Sequence, residues 1–178
     1  LGGELASGKG AVSKILQKEL NFGIYRNGDY FRKLGQEMGM DVTSFNMYVE
    51  KHPEIDRQIE NSAAEYAKTN DNFIIDARLG WYAVPESFKV YLKVDINEAA
   101  KRAFNDPKRK YSENFETLED QKRDMEKRYQ LENERYYNLY NIRKEDESNY
   151  DIVIDTTNMT PEEVAYIIIE EYEKWLKK

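Results

Sequence analysis

The sequence predicts a three-layer α/β fold in which a parallel sheet of about five strands has helices on both faces. Three observations predict it. Short β-branched segments recur along the chain, helical segments with one apolar face separate them, and a glycine-rich loop occupies residues 2–14. Strands that alternate with helices favour a parallel sheet, because each parallel crossover needs a connection of about helix length. Ligands of such sheets bind at the carboxyl ends of the strands.

The strand candidates are short segments of β-branched and aromatic residues. Two of them run into the acidic residues Asp76 and Asp155 near their carboxyl ends. The candidates are "FGIY" (22–25), "NFIIDA" (72–77), "FKVYLKVD" (88–95) and "YDIVIDT" (150–156). A central strand is also expected before the glycine loop. Only Leu1 precedes the glycines, so we expect that a few native residues are missing there.

The helix candidates in the first half of the chain begin at the glycine loop. That first helix has apolar residues at a spacing of three to four, on the face formed by Val12, Ile15, Leu16 and Leu20. A second helix is expected from Asp29, as its N-cap, towards Met38. Two further helices are expected on either side of Pro53, because proline interrupts a helix.

The helix candidates in the second half lie in a charged stretch and at the C-terminus. The charged stretch runs from about Lys101 to Glu147, and its apolar residues at helical spacing are Phe115, Leu118, Met125 and Tyr129. The last helix has a capping signal at Thr160, followed by Pro161. Its predicted apolar face consists of Val164, Ile167, Ile168, Tyr172 and Trp175.

Composition indicates one polar-surfaced globular domain over residues 1–178. Of the 178 residues, 40% are hydrophobic and 34% are charged. Cysteine is absent, which excludes disulfides and Cys-ligated zinc, and the single His52 cannot form a His-based metal site. No apolar run approaches the roughly 18 residues of a membrane span. A net charge of −7 disfavours nucleic acid as a partner. We expect a cytoplasmic monomer or weak homodimer.

The glycine loop fits the G-x-x-x-x-G-K pattern of a phosphate-binding loop. Its glycines let the backbone curl so that several N–H groups point at one phosphate, and the helix behind adds its positive end. Lys9 can reach the β- and γ-phosphates of a bound nucleotide. The predicted cradle consists of Gly3, Glu4, Leu5, Ala6, Ser7, Gly8, Lys9, Gly10 and Ala11. The fold expected is therefore the P-loop NTPase fold, with ATP and Mg²⁺ as cofactors.

Ala11 stands where such loops usually carry a serine or threonine hydroxyl that helps to hold Mg²⁺. Ser13 is too far along the helix to replace it. We therefore expect Mg²⁺ to be held mainly by ATP oxygens and water, as this ion tolerates. Asp76 is a candidate carboxylate for the metal, although it could equally be a buried structural cap.

Several further segments resemble one family, the (d)CMP kinases, and most closely their short archaeal-type cytidylate kinases. The resemblance spans nearly the whole chain in the same order. Its segments are "GELASGKGAVSKIL", "NGDYFRKLGQEMGMDVTSFNMYVEKHPEIDR", "NFIIDARLGW", "RYQLENERYYNLYNI" and "YDIVIDTTNMTPEEV". It implies ATP-dependent phosphoryl transfer to CMP or dCMP, with acceptor-binding helices at about 29–69 and a lid at about 105–145.

The same resemblance implies roles for individual residues. Asp29 and Arg32, in "GDYFR", match a motif whose arginine holds the acceptor monophosphate, and Arg78, in "DARLGW", matches the second such arginine. Arg128 and Arg135 match arginines of a lid that closes over the transferring phosphoryl group, and Arg123, in the same stretch, is a further candidate. Arginine suits these roles because its planar fork binds phosphate oxygens bidentately.

Base recognition departs from the pattern of typical bacterial relatives, in which an acidic residue directly follows the second arginine. Leu79 occupies that position here. Asp56 and Arg57, in "HPEIDR", are the candidates, because a carboxylate can accept a hydrogen bond from the cytosine 4-amino group. Two alternatives stay open: another small-molecule kinase of this fold (adenylate-kinase-like, shikimate or dephospho-CoA kinase), and a nucleotide-binding protein with impaired transfer.

Overall fold

The computed structural model describes residues 1–40, 42–107 and 115–178. Strands and helices alternate along these residues, as the sequence predicts. The five strands are β1 (Gly2–Gly3), β2 (Gly23–Arg26), β3 (Phe73–Asp76), β4 (Val90–Lys93) and β5 (Ile152–Asp155). The helices are α1 (Lys9–Leu20), α2 (Asn27–Glu37), α3 (Val42–Glu50), α4 (Pro53–Ala67), α5 (Gly80–Ala83), α6 (Ile96–Asn105), α7 (Leu118–Tyr140) and α8 (Pro161–Trp175).

All strand pairs within the described residues are parallel, which confirms the predicted α/β class. Strand β4 pairs with β1 on one side and with β5 on the other, and β2 pairs with β3. The amine of Leu1 donates to the carbonyl of Ile75 at 2.8 Å, which links the start of β1 to β3. The carboxyl ends of β1 and β3 consequently lie next to each other, and the glycine loop leaves the sheet at this edge.

Gly3 fixes the position where the loop leaves the sheet. Its φ of 147° is unfavourable for a residue with a side chain, and an added Cβ would lie 2.6 Å from the carbonyl oxygen of Leu92. Glu4 N donates to that same oxygen at 2.9 Å. A glycine is therefore required where the chain passes closest to β4.

The main core lies between the sheet and the helix pair α1 and α8, which pack against each other. It contains Val12, Leu16, Ile74, Val90, Leu92, Ile154, Val164 and Ile168. A second cluster joins Val94 to α6 and α7, and a third, around Phe45, packs α2, α3 and α4 together. The apolar faces predicted for the first and last helices are thus the faces that bury the sheet.

Two boundary predictions are wrong. Asp29 is not an N-cap, since α2 begins at Asn27, directly after β2, and Asp29 lies in its first turn. Phe115 is not part of a helix with Leu118, because α7 begins only after Thr117, whose Oγ1 accepts from Asp120 N at 3.1 Å. The capping box of Thr160 and Glu163 at the start of α8 is confirmed.

Asp41 and residues 108–114, which fall in the expected acceptor-binding and lid segments, lie outside the described residues. Helix α5, a single turn, has no counterpart in the sequence-based prediction. None of the described helices is both long enough and apolar enough to cross a bilayer.

Candidate active site

The glycine loop curls back on itself between β1 and α1. Ala6 and Gly8 have φ angles of 57° and 89°, and these left-handed residues turn the backbone towards the helix. The Lys9 ammonium donates to the carbonyl of Gly3 at 2.8 Å and to that of Glu4 at 3.1 Å. Two neutral carbonyl oxygens thus hold the Lys9 ammonium across the loop. An anion bound at the loop can replace them as the partner of this ammonium.

The start of α1 offers an anion site of the expected kind. Gly8 occupies the N-cap position and has no side chain to cap the helix. Among the described residues, no side chain therefore uses the first amides of α1, those of Lys9 and Gly10, whereas Ala11 N donates to the Gly8 carbonyl at 3.0 Å. A Cβ added at Gly8 or at Gly10 would meet no atom within 4 Å, which shows that the space in front of the loop is open. This geometry fits the phosphates of a nucleotide.

Ser13 does not replace the hydroxyl that Ala11 lacks. The Ser13 side chain is buried, and its hydroxyl donates to the carbonyl of Gly10 at 3.3 Å. The same hydroxyl oxygen accepts from Arg26 Nη2 at 3.4 Å. Arg26 also forms an ion pair with Asp76 at 3.6 Å, where the two residues face each other across β2 and β3. Arg26 was not among the predicted site residues.

Asp76, the predicted metal carboxylate, also lies in this region. It lies at the carboxyl end of β3 and acts electrostatically on Lys9. Within residues 1–40, 42–107 and 115–178, no group of three His, Cys, Asp or Glu side chains could hold a metal ion. Asp76 alone could serve Mg²⁺ only together with phosphate oxygens and water, and this role stays a prediction.

Two cations share one carboxylate, that of Glu132, and both act electrostatically on Lys9. Arg78 binds Glu132 with both prongs, Nε at 2.8 Å and Nη2 at 2.6 Å, and Lys144 Nζ lies 2.6 Å from the same carboxylate. Burial lowers the pKa of Lys9 to about 8, and the nearby charges of Arg78 and Lys144 contribute. Arg78 and Lys144 therefore lie close enough to Lys9 to act on it electrostatically.

A second polar group lies between α4 and α7. Asp56 is almost fully buried. One of its oxygens lies 3.4 Å from Arg135 Nη1, and the other accepts from Tyr140 Oη at 3.2 Å. Among the described residues, Arg135 Nε is buried with no hydrogen-bond partner. The structure thus brings Asp56 and Arg135 together, with one donor unused.

Glu60, one helical turn after Asp56, completes this group and was missed in the sequence. It accepts from Tyr136 Oη at 3.2 Å and from Asn27 Nδ2 at 3.1 Å. Burial raises the pKa of Glu60 to about 7, and the like charge of Asp56 adds to the effect. The sequence signal that could have indicated Glu60 is its spacing of four residues from Asp56, which puts the two carboxylates on one face of the helix.

Other predicted residues do not join these groups in this conformation. Arg32 pairs with Asp29 on an exposed face of α2, and Arg57 is exposed on α4. Arg128 forms an ion pair at 3.8 Å with Asp124 of its own helix. Their assigned roles in acceptor binding and in the lid stay predictions.

Several known proteins resemble this chain in sequence. The sequence profile of a family described as "AAA domain" matches residues 1–126. The cytidylate kinase of Thermoplasma volcanium is 33% identical over 183 residues, which cover 100% of this chain and 92% of that protein. The cytidylate kinase of Thermococcus kodakarensis is 35% identical over 167 residues, covering 93% and 82%.

A solved structure supports the fold. Shikimate kinase from Acinetobacter baumannii, in complex with shikimate, superposes with a TM-score of 0.59 over 97% of this chain and 90% of that one. At 16% sequence identity this likeness shows the P-loop kinase fold alone. With relatives at 33% and 35% identity over at least 93% of its length, the chain belongs to the cytidylate kinase family and is a phosphotransferase.

Proposed function

We propose that this protein transfers the γ-phosphoryl group of ATP to CMP or dCMP. The observation that carries the proposal is that the glycine loop with Lys9 follows β1 and that Arg78 follows β3, two strands that the Leu1–Ile75 hydrogen bond holds side by side. Two cations that follow neighbouring strand ends, and that act on each other electrostatically, suit a reaction that passes a phosphoryl group between two phosphates. Family membership supports the same reaction class.

The donor side consists of the glycine loop and Lys9. Its amides and the N-terminus of α1 would bind the donor phosphates, and Lys9 would exchange its bonds to Gly3 and Glu4 for phosphate oxygens. Bound ATP with its Mg²⁺ supplies the phosphoryl group and part of the charge neutralisation. Asp76 is the residue that would face the metal.

The acceptor side consists of Arg78 and the group on α4 and α7. Arg78 would hold the acceptor phosphate with the fork that now binds Glu132. Arg135, with its unpartnered Nε, would donate to a phosphate or ribose oxygen. Asp56 is then close enough, through Arg135, to face the nucleoside part of the acceptor.

The protein has little covalent chemistry to perform in such a transfer. The reaction needs in-line placement of the two phosphates and cations around the oxygens that gain charge. Arg128 and Arg32 would add to this charge if the acceptor helices and lid close over the substrates. Closure would also exclude water and so suppress ATP hydrolysis.

A coupled assay of ADP release with a panel of acceptors tests the proposal. The panel comprises CMP, dCMP, UMP, AMP, shikimate and dephospho-CoA, with Lys9→Ala as the negative control. CMP- or dCMP-dependent release that Lys9→Ala abolishes supports the proposal. Preference for another acceptor would replace the substrate assignment, and ATP binding without turnover on any acceptor would indicate impaired transfer.

A further inference from the structure

Lys144 lies among the charges of the active site, although nothing in the sequence pattern singles it out. It follows α7, and its side chain is only 8% exposed. Its ammonium lies 2.6 Å from Glu132 Oε2 and 4.7 Å from the centre of the Tyr129 ring. Its carbonyl accepts from Tyr150 Oη at 3.0 Å. Side chain and backbone are therefore both fixed in place.

The charges around Lys144 do not balance. Glu132 is shared between Arg78 and Lys144, and Glu145 is the other carboxylate that acts on Lys144. Lys9 has no carboxylate at ion-pair distance among the described residues, and its ammonium donates to the carbonyls of Gly3 and Glu4. Arg78, Lys144 and Glu132, which are in direct contact, carry a local excess of one positive charge.

An excess of buried positive charge is unfavourable for folding alone. A buried ammonium loses its hydration, and an apolar side chain of similar size generally stabilises such a position as well or better. Cationic side chains that are buried in excess are favourable when an anion binds among them. Arg78 and Lys144 act electrostatically on Lys9, which belongs to the loop that fits phosphates.

We propose that Lys144 is a third cation of the phosphoryl-transfer site, a positioning residue that holds Glu132 against Arg78 and strengthens the positive potential at the phosphates. This inference rests on the proposed function. Lys144 acts from behind Glu132, so its effect reaches the substrates through Arg78 and through the field. When the guanidinium of Arg78 binds the acceptor phosphate instead of Glu132, Lys144 remains paired with Glu132. The buried Glu132 carboxylate is therefore not left without a counter-charge.

Kinetics of Lys144→Met and Lys144→Arg test the proposal, with Lys174→Met as the matched control. Lys174 also forms a 2.6 Å pair with a glutamate, but on the exposed surface of α8. We expect Lys144→Met to lower kcat at least about tenfold and to weaken ATP binding by a similar factor in calorimetry. Lys144→Arg should retain most activity. Thermal unfolding should show that Lys144→Met stays folded.

The pH dependence of kcat/KM separates this role from a merely structural role of Lys144, which would leave that dependence unchanged. Without the charge of Lys144, the pKa of Lys9 should rise, so the alkaline limb of kcat/KM should shift to higher pH in Lys144→Met. A wild-type kcat and an unshifted alkaline limb of kcat/KM in Lys144→Met would overturn the proposal. Equal losses of activity and of melting temperature in Lys144→Met and Lys144→Arg would also overturn it. If the wild-type protein phosphorylates no acceptor, the proposed function fails, and ATP affinity alone decides the role of Lys144. Equal affinity in Lys144→Met and Lys174→Met would then refute it.

Discussion

Arg78 and Glu132, 54 positions apart in the sequence, form a two-pronged ion pair that joins the end of β3 to α7. Glu132 also neutralises Lys144, so one carboxylate holds two cations. This pair fixes the segment after β3 to α7, and Arg78 is the residue proposed to hold the acceptor phosphate. Its loss should therefore affect both stability and acceptor binding.

Glu132→Gln should lower the free energy of unfolding by about 3 kcal/mol at neutral pH, because it leaves two cations without a buried counter-charge. Arg78 and Lys144 hold the pKa of Glu132 below its usual value of 4.5, although burial opposes them. The carboxylate therefore contributes stability above about pH 4.5, and this contribution is lost as the pH falls through its lowered pKa.

Urea unfolding of both proteins at neutral pH and at about pH 3.5 measures this difference. The gap between wild type and Glu132→Gln should narrow at the lower pH. Glu171→Gln, which breaks an exposed pair with Lys174, should cost less than about 1 kcal/mol at either pH. A gap that stays constant with pH would contradict the role of the ionised carboxylate.

The pKa of Lys9 predicts an alkaline limit of activity. Burial and the neighbouring cations lower this pKa to about 8, so the ammonium is charged below that pH and becomes neutral above it. Because neutral lysine cannot attract phosphate, kcat/KM should fall as the pH rises through about 8. The pH profile of kcat/KM with saturating CMP measures this, and a plateau extending to pH 10 would contradict it. Lys174→Ala should show the wild-type profile.

Gly3 should not tolerate a side chain. Gly3→Ala would place a Cβ 2.6 Å from the Leu92 carbonyl oxygen at an unfavourable φ, so we expect a loss of about 2 kcal/mol or more in unfolding free energy. Gly10→Ala is the control, since it lies in α1 with open space around it and should gain about 0.5 to 1 kcal/mol. Chemical denaturation of the two variants gives both values. Equal stability would mean that β1 is not packed against β4 as described.

Asp56 should influence the choice of acceptor base. Asp56→Asn should raise the KM for CMP and reduce the preference for CMP over UMP by about tenfold, while the KM for ATP stays unchanged. The same kinetics with Glu54→Gln, an exposed position on the same helix, should match wild type. Unchanged CMP kinetics in Asp56→Asn would remove Asp56 from the acceptor site.

The sequence predicted those features of the fold that depend on local patterns. The apolar faces of α1 and α8, the strands β3 and β5, and the capping box at Thr160 follow from spacing and side-chain chemistry within a few residues. The start of α2 was misplaced because Asp29 resembles a cap, whereas β2 leads into the helix without a connecting turn. Helix α5 has only one turn, too short for a periodic signal.

Site residues were predictable where a motif names them. Lys9 and Arg78 lie in such motifs, the structure places them after the neighbouring strands β1 and β3, and their roles stay predictions. Lys144, Glu60 and Arg26 were missed because each acquires its meaning from a partner distant in sequence, as Glu60 does from Tyr136, 76 positions away. The charge pattern along one segment cannot show that a carboxylate such as Glu132 will pair with two cations from other parts of the chain.

Direct analysis of products from ATP and CMP tests the central claim, that Lys9 and Arg78 serve one phosphoryl transfer. Purified protein is incubated with Mg²⁺, ATP and CMP, and nucleotides are quantified by chromatography over time. The account predicts that ADP and CDP appear in equal amounts with wild type. It predicts almost none with Lys9→Ala and a slow reaction that needs more CMP with Arg78→Ala. ADP formed without CDP, or CDP formed at the wild-type rate by either variant, would contradict it.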